Sequence, residues 1–316
     1  MSTRFSRSVV RWMVLVACAV VLPASRAQAQ GDGPHNLPII PIGTNIFTPQ
    51  VLVLSGNFNP QQTVLVPGAE IDVVAVPVTY IRTFALGNRF GRLFLVAPLS
   101  TVDASVEAFD PIAGRLRTPE RRRSGFMDPM VTMHVGLVGA PALKLPEFMK
   151  HAKSFQMVAI VGTSIPVGTY DSDRLINLGT NRWFVKSELG VSKSLGPWTL
   201  EFAPAITFFS DNHDFMGGST REQDPVYSVQ GGVIYGFSNG VWVALNGTYY
   251  TGGRTAVDGV DGNDLKKNSL AGLTVALPID RNHSVKLYAS TGVATRVGNE
   301  ADTLGVLWQY RWGGGL

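Results

Sequence analysis

The sequence predicts an all-β fold: a transmembrane antiparallel up-and-down β-barrel of about 12 strands. The stretch 303–312 alternates apolar or aromatic residues with small or polar ones, which is the period-two pattern of a strand with two unlike faces. The N-terminus has the form of an export signal, and no later stretch is apolar for long enough to form a membrane helix. Short and long connections alternate between the predicted strands, as in barrels with short periplasmic turns and long external loops.

Residues 1–29 are predicted to be a secretory signal peptide. Three arginines precede the apolar stretch 12–22, and Ala27, Gln28 and Ala29 fit the small-x-small cleavage pattern. The apolar stretch is too short for a membrane helix, which needs roughly twenty residues. The single cysteine, Cys18, lies in the signal, so we expect no disulfide in the mature chain.

The formal net charge of +4 also belongs to the signal peptide. The sequence has 27 Lys and Arg against 23 Asp and Glu, and residues 1–29 contain four arginines and no acid. The mature chain is therefore balanced, and a nucleic-acid partner is not expected. No nucleotide-binding motif is visible, so no cofactor is expected either.

Residues 30–43 are rich in Pro and Gly and are predicted to form a periplasmic N-terminal arm, followed by the barrel at 44–316. Most predicted strands have ten to twelve residues, enough to cross the apolar band when tilted. The twelve predicted strands are 45–54, 71–84, 92–108, 129–139, 154–167, 183–194, 198–209, 226–237, 241–251, 269–278, 284–294 and 303–312.

The connections between these strands form a short series and a long series. The short series is 85–91, 140–153, 195–197, 238–240 and 279–283, of which 140–153 is longer than its peers. The long series is 55–70, 109–128, 168–182, 210–225, 252–268 and 295–302. With a periplasmic N-terminus, every long connection lies outside the cell.

Two predicted strands have an ambiguous pattern. The stretches 73–76 and 93–96 are apolar on both faces, so either the arm covers them inside the barrel or the lumen is partly apolar. Pro77 and Pro98 fall within these strands, and because proline lacks a ladder donor we expect bulges or kinks there.

Polar side chains on the face opposite the apolar row are candidates for a pore lining that selects solute. The alternative is a structural network of charges that fills a narrow barrel. The candidates are His134, Lys186, Glu188, Glu201, Gln230, Trp242, Asn246, Tyr250, Lys286, Gln309 and Arg311, together with Gln156.

Most aromatic residues in the apolar rows lie near strand ends, where we expect them to anchor the barrel at the membrane interface. Trp242 and Tyr250 fall in the opposite row and are better candidates for contact with an aromatic solute. The expected anchors are Trp183, Trp198, Trp308, Trp312, Tyr249 and Tyr310.

Charged residues of both signs cluster in predicted loops. One interpretation of the basic cluster is contact with lipopolysaccharide phosphates or an anionic solute, and the other is a solvated loop. Acidic residues in two other loops could bind a divalent cation, but their spacing does not match the calcium-loop pattern, and no metal site is assigned. The basic residues are Arg115, Arg117, Arg121, Arg122 and Arg123, and the acidic ones are Asp211, Asp214, Asp258, Asp261 and Asp264.

Five segments of the chain resemble the outer-membrane transporter family named for the meta-pathway of phenol degradation. They are SGFMDP at 124–129, LINLGTNRW at 175–183, TREQDP at 220–225, YYTGGRT at 249–255 and WQYRW at 308–312. The resemblance covers roughly residues 44–312. It implies an outer-membrane barrel of a Gram-negative bacterium that moves hydrophobic or aromatic compounds. The family supplies no set of binding residues to carry over.

The function expected is therefore a channel that passes small hydrophobic or aromatic compounds by diffusion. Gating would come from the external loops or from the arm. The expected partners are outer-membrane lipid and lipopolysaccharide, a small solute and the barrel assembly machinery. The alternatives are a structural or adhesive barrel without an open pore, a lipid-active barrel enzyme using His134, and a secreted soluble β-protein. No G-x-S-x-G nucleophile motif is present, and the protein is not expected to be an enzyme.

Overall fold

The computed structural model describes residues 34–57, 69–106, 108–110, 115–117, 120–151, 154–174, 177–296 and 300–315. This part of the chain is almost entirely antiparallel β-sheet. None of its helices is both long and apolar enough to cross a membrane.

Thirteen strands make up the main sheet, and each pairs with its neighbours in the antiparallel sense. They are β1 (Thr44–Asn57), β2 (Ala69–Leu86), β3 (Arg89–Val106), β6 (Glu120–Phe126), β7 (Met130–Val138), β8 (Phe155–Ser164), β9 (Phe184–Leu195), β10 (Trp198–Phe209), β13 (Val226–Gly236), β14 (Trp242–Gly252), β17 (Lys266–Pro278), β18 (His283–Thr295) and β19 (Glu300–Gly313).

The sheet closes into a barrel because β1 pairs with both β2 and β19. Strands β6 and β7 both pair with β3 and act as one strand that is interrupted at residues 127–129. The closed barrel therefore has twelve strands, and the predicted fold class is confirmed. Each of the twelve predicted strands overlaps an observed one.

The short elements lie in the connections. Sequence patterns did not predict β6, which falls in the predicted loop 109–128. The remaining elements are β4 (Ala108–Asp110), β5 (Arg115–Arg117), β11 (Asn212–Phe215), β12 (Ser219–Gln223), β15 (Thr255–Val257), β16 (Val260–Asp261) and the helix α1 (Leu145–Phe148). Strands β11, β12, β15 and β16 form a separate four-stranded sheet outside the barrel wall.

The expected bulges at Pro77 and Pro98 are absent. The two prolines lie directly opposite each other in the β2–β3 ladder, which runs without a register shift. The carbonyl of Pro98 instead accepts the backbone N–H of Met127 at 2.9 Å, at the point where β6 and β7 are interrupted.

Alternate residues on each barrel strand point inward and outward. On β8 every even residue from 156 to 164 is buried, whereas the outward Val161 is 50% exposed. On β14 the inward Ala244 is fully buried and the neighbouring Leu245 is 64% exposed. Large apolar side chains thus cover the outside of a closed sheet, which is the arrangement of a barrel in lipid.

Outward aromatic side chains gather near both ends of the barrel. At the end with the short turns, the short-turn belt comprises Tyr80, Trp198, Tyr235, Phe237, Trp308, Tyr310 and Trp312. At the other end, the loop belt comprises Phe126, Trp183, Phe208, Tyr227 and Tyr249. On β13 the two belts are eight residues apart, about 27 Å along the strand and roughly 20 Å along a barrel axis at a tilt near 40°. That separation fits the apolar thickness of a bilayer.

Candidate functional site

The predicted pore-lining residues all lie on inward-facing rows, but in four different settings. Glu201 and Trp242 contact the N-terminal segment, as does Gln156. Lys186 and Glu188 form an ion pair on the inner face of β9, with Nζ and Oε2 2.5 Å apart. The others divide between the rims and the middle of the interior. Whether any of them lines an open pore stays a prediction.

The residues near the two rims have structural contacts. Arg311 donates from Nε to the carbonyl of Arg281 in a short turn, at 2.6 Å. Gln309 accepts the Ser284 hydroxyl at 3.3 Å. At the opposite rim Tyr250 is fully buried and accepts a hydrogen bond from Asn268 at 3.0 Å.

Residues 34–43, here named the plug segment, lie inside the barrel at the short-turn end. Its three prolines, Pro34, Pro38 and Pro41, lack N–H donors, so the segment cannot join the sheet as a regular strand. The wall holds its backbone instead. Glu201 accepts the backbone N–H of His35 at 2.9 Å, and Gln156 accepts that of Ile39 at 3.3 Å.

Arg92 is the strongest polar anchor of the plug segment, and the sequence patterns did not single it out. Its Nη1 donates to the carbonyl of Asn36 at 2.7 Å, and its Nη2 donates to that of Pro38 at 2.5 Å. The guanidinium is 5% exposed and lies over the rings of Phe90 and Phe94. A lone inward arginine on a largely apolar strand was the available signal, because a buried charge needs partners.

Apolar side chains of the plug segment fill the same end of the interior. Leu37 packs on Val158 and Ile160 of β8, and it occupies the space beside Gly190 that a side chain would need. Ile39 packs on Phe90 of β3. These contacts lie on β3 and β8, outside the stretches 73–76 and 93–96 whose inner face the sequence left ambiguous.

The inner face of one ambiguous stretch, 73–76, is covered from the long-loop end of the barrel. Leu178, in the loop after β8, packs on Val73 and Ala75 of β2 and on Val102 of β3. The interior thus combines apolar groups of β2 and β3 with charged groups, among them Arg92 on β3, Lys186 on β9 and Glu201 on β10.

Trp242 and Lys286 form an aromatic and cationic pair beside the plug segment. The Trp242 ring lies 5.0 Å from the ring of His35, and the Lys286 ammonium lies 5.3 Å from the indole. Cation–π contacts of this kind gain strength when water is excluded. The pair would face the lumen if the plug segment moved away.

Among the described residues, Nδ1 of His134 lacks the partner that would orient the ring for base catalysis. It is 1% exposed, its ring lies 4.7 Å from that of Phe94, and its Nδ1 is buried with no hydrogen-bond partner among the described residues. A catalytic histidine needs a group that orients it.

Four of the segments that resemble a known family converge at the long-loop end, where they form the loop cap (residues 127–129, 165–174, 177–183, 210–225 and 252–265). Arg182 donates to Gln223 at 2.5 Å, and Gln223 donates to the carbonyl of Gly253 at 3.2 Å. Asp128 accepts the backbone N–H of Gly168 at 2.8 Å and that of Thr180 at 2.7 Å. Residues far apart in sequence are thereby tied into one polar network.

Buried cations are the electrostatic feature of the loop cap. Desolvation by burial lowers the pKa of Arg221 to about 10, although the charge of Asp264 raises it in part. Desolvation also lowers the pKa of Arg182, and the nearby Arg221 lowers it further. The guanidinium of Arg182 lies over the ring of Phe209, and that of Arg221 lies over the ring of Phe215.

The predicted charged clusters have neighbours of their own. In the basic cluster, Arg122 lies 3.8 Å from Asp103 and Arg123 lies 3.6 Å from Asp171. The side chains of Arg115, Arg117 and Arg121 lie outside the described residues, so that part of the prediction is untested.

Three of the five acidic loop residues make hydrogen bonds or ion pairs through their carboxylates. Asp258 accepts the N–H of Thr220, Asp264 accepts both the N–H and the hydroxyl of Thr255, and Asp261 pairs with Arg254. Within the described ranges, no three His, Cys, Asp or Glu side chains are arranged to hold a metal ion.

A cavity of about 530 Å³ opens at the short-turn end. It lies where the end of the plug segment, the rim of β2, the residues that begin α1 and the C-terminal glycines Gly314 and Gly315 meet. Arg82 and Lys144 are its charged side chains, and the other lining groups are mostly apolar.

A closed twelve-stranded barrel with an apolar outer band and two aromatic belts defines an outer-membrane β-barrel of the channel fold. The chain belongs to the family described as "Putative MetA-pathway of phenol degradation", whose model matches residues 55–310. The predicted family and the predicted outer-membrane localisation are thereby confirmed.

A solved structure agrees with the fold, and a second, more distant one is similar in part. The COG4313 outer membrane channel from Pseudomonas putida F1 has a TM-score of 0.74 at 20% identity, and the match covers 89% of this chain and all of that one. The translocator domain of the autotransporter NalP from Neisseria meningitidis matches with a TM-score of 0.49 at 11% identity over 96% of each chain. Among curated protein sequences, none matches this chain.

Proposed function

We propose that the protein is a diffusion channel that passes small hydrophobic or aromatic compounds across the outer membrane, with the plug segment as its gate. The single observation that carries the proposal is how this segment is held. Side chains of the wall bind its backbone, through Arg92, Glu201 and Gln156. Because none of these bonds belongs to the β-ladder, the plug segment can leave without opening the sheet.

The lumen that would open combines apolar and charged groups, which suits a small ring with a polar substituent. Apolar side chains of β2 and β3 lie in the same interior as Glu201 and Lys286. Trp242 offers an aromatic face, and Lys286 lies beside it as a partner for a hydroxyl or carboxylate. Ligand sites in proteins commonly combine apolar walls with a few polar groups in this way.

A structural barrel without an open pore is the second candidate. The observation that favours it is the filling of the interior from both ends, by the plug segment at one end and by the loop cap at the other. Conductance separates the two. A gated channel has measurable openings in a planar bilayer, and deletion of residues 31–43 increases them, whereas a structural barrel stays at baseline in both forms.

Uptake of labelled benzoate tests the solute class. Cells that lack the protein are complemented with wild type, with Trp242→Ala or with Trp198→Ala. We expect wild type and Trp198→Ala to restore uptake equally, because Trp198 points outward, and Trp242→Ala to reduce it several-fold. Equal uptake in complemented and uncomplemented cells would refute the proposed solute class.

A further inference from the structure

The cavity at the short-turn end lies at the barrel rim, where it adjoins Ile42 and Gly43 at the end of the plug segment, and it has no assigned role in the proposed passage of solute. Its volume of about 530 Å³ is in the range of ligand sites, which are roughly 300–1,000 Å³. Part of its wall is Arg82 and Phe84, whose side chains lie on the outward row of β2. The cavity therefore borders the membrane side of the barrel rim.

The short-turn belt places this cavity at a defined depth. Tyr80 belongs to the belt, with its ring 6.3 Å from that of Trp312. Arg82 follows on the same face two residues nearer the rim, about 7 Å further along the strand. Aromatic belts mark the boundary between hydrocarbon and headgroups, so Arg82 lies at the level of the lipid phosphates.

The charge of the cavity is positive. Arg82 donates from Nη1 to Asn45 Oδ1 at 2.6 Å and to the carbonyl of Gly43 at 3.3 Å, and both of these partners are neutral. Lys144 is the second cation of the lining. Among the described lining residues there is no carboxylate side chain, and the carboxylate of Glu147, which accepts the backbone N–H of Lys144 at 3.2 Å, does not line the cavity.

Apolar groups complete the walls. Ile42, Phe84, Leu145 and Pro146 provide surface for the carbons next to a phosphate. A free anion gains little from such walls, whereas a lipid buries the first part of its chains against them. Two cations at headgroup depth over an apolar wall match an amphipathic anion of the membrane.

We propose that this cavity binds an anionic phospholipid of the periplasmic leaflet. The phosphate lies between Arg82 and Lys144, and the glycerol with the start of the acyl chains lies on Phe84 and Leu145. The occupied cavity contacts Ile42 and Gly43, so the lipid also supports the point where the plug segment enters β1.

Native mass spectrometry of the full chain in detergent tests the proposal, with dioleoyl phosphatidylglycerol or dioleoyl phosphatidylcholine added. We expect one retained phosphatidylglycerol on the wild type and little retained phosphatidylcholine. The double variant Arg82→Gln, Lys144→Gln should weaken retention about tenfold or more, since cations near a membrane surface attract anionic lipid individually.

The matched control removes two other cations from the same end, Lys150→Gln and Arg281→Gln, which do not line the cavity. It should retain phosphatidylglycerol as the wild type does, and an unchanged heat-dependent gel shift shows that each variant folds. Three results would overturn the proposal: equal retention by the Arg82, Lys144 double variant, equal retention of the two lipids, or displacement of phosphatidylglycerol by millimolar inorganic phosphate.

Discussion

Asp128 holds Thr180 by two hydrogen bonds across 52 residues of sequence, from the threonine hydroxyl at 2.6 Å and from its backbone N–H at 2.7 Å. The other carboxylate oxygen accepts the N–H of Gly168 at 2.8 Å. The carboxylate lies at the break between β6 and β7, next to Met127, whose backbone N–H donates to the carbonyl of Pro98 on β3. One side chain thus ties the interrupted strand to the loop cap.

Asp128→Asn should loosen the loop cap. The asparagine amide places an NH2 donor where the carboxylate has an acceptor, opposite the donors of Gly168 and Thr180. Hydrogen bonds to charged groups are worth about 2 kcal/mol. We expect faster trypsin cleavage after the exposed Arg174, measured on intact folded barrels. Asp173→Asn in the same loop is the control, because that side chain is exposed. Equal cleavage of both variants would show that Asp128 does not secure the cap.

Arg92→Gln should release the plug segment. The shorter amide cannot reach both the Asn36 and the Pro38 carbonyls, and so two charge-assisted bonds are lost. Planar-bilayer recordings should show more frequent openings. The control is Arg89→Gln on the same strand, whose guanidinium donates to the carbonyls of Gly136 and Leu137 near the end of β7. An increase with the control variant as well would indicate general destabilisation.

Gly190→Ala should displace the plug segment by a steric route. A Cβ at this position would overlap the end of the Leu37 side chain, so the leucine must shift to make room. We expect increased conductance for the single variant and a return to the wild-type level when Leu37→Ala is added.

Gly232→Ala serves as the control for that experiment, because a Cβ there meets only ordinary contacts at 3.6 Å or more. Failure of Leu37→Ala to compensate would contradict the direct contact between plug segment and wall.

Leu245→Arg tests which face of the sheet touches lipid. Leu245 is 64% exposed on the outside, opposite Val233 and between the two belts, and an arginine costs about 2–4 kcal/mol at the bilayer midplane and less toward the belts. Phe237→Arg, at the short-turn belt, should cost only about 0–1 kcal/mol. Urea titrations of folding into vesicles measure both. Equal costs would mean that Leu245 does not face hydrocarbon.

Acid should loosen the small loop sheet through Asp258. The backbone N–H of Thr220 holds the pKa of this carboxyl below its ordinary value of 3.8. A carboxyl with a lowered pKa stabilises the fold above its ordinary pKa, and the contribution is lost as the pH falls through the lowered pKa. Amide-exchange protection of 219–223 should therefore fall toward that of Asp258→Asn below about pH 4.

The control for this pH dependence is Glu222→Gln, which removes an exposed carboxyl from the same small sheet. It should follow the wild-type curve, corrected for intrinsic exchange. If the protection of 219–223 in the wild type ran parallel to that in Asp258→Asn at every pH, the Asp258 carboxyl would not be the cause of the pH dependence.

The sequence by itself determined the barrel, because strand alternation is a local property. A row such as Leu304, Val306 and Trp308 can satisfy its backbone in lipid only as part of a closed sheet, so period and connection length together specified twelve strands. The same parity placed Glu201, Trp242 and Lys286 inside. These predictions needed no knowledge of which strand faces which across the lumen.

Only the tertiary structure decided what fills that lumen. Arg92 and the carbonyl of Pro38 meet because the proline-rich plug segment enters the short-turn end of the barrel. No periodicity in the sequence predicts such a contact. Asp128 and Thr180 meet because the strand between β3 and β8 is interrupted. Contacts between distant segments depend on the closed shape of the wall, which sets the distances that local patterns cannot report.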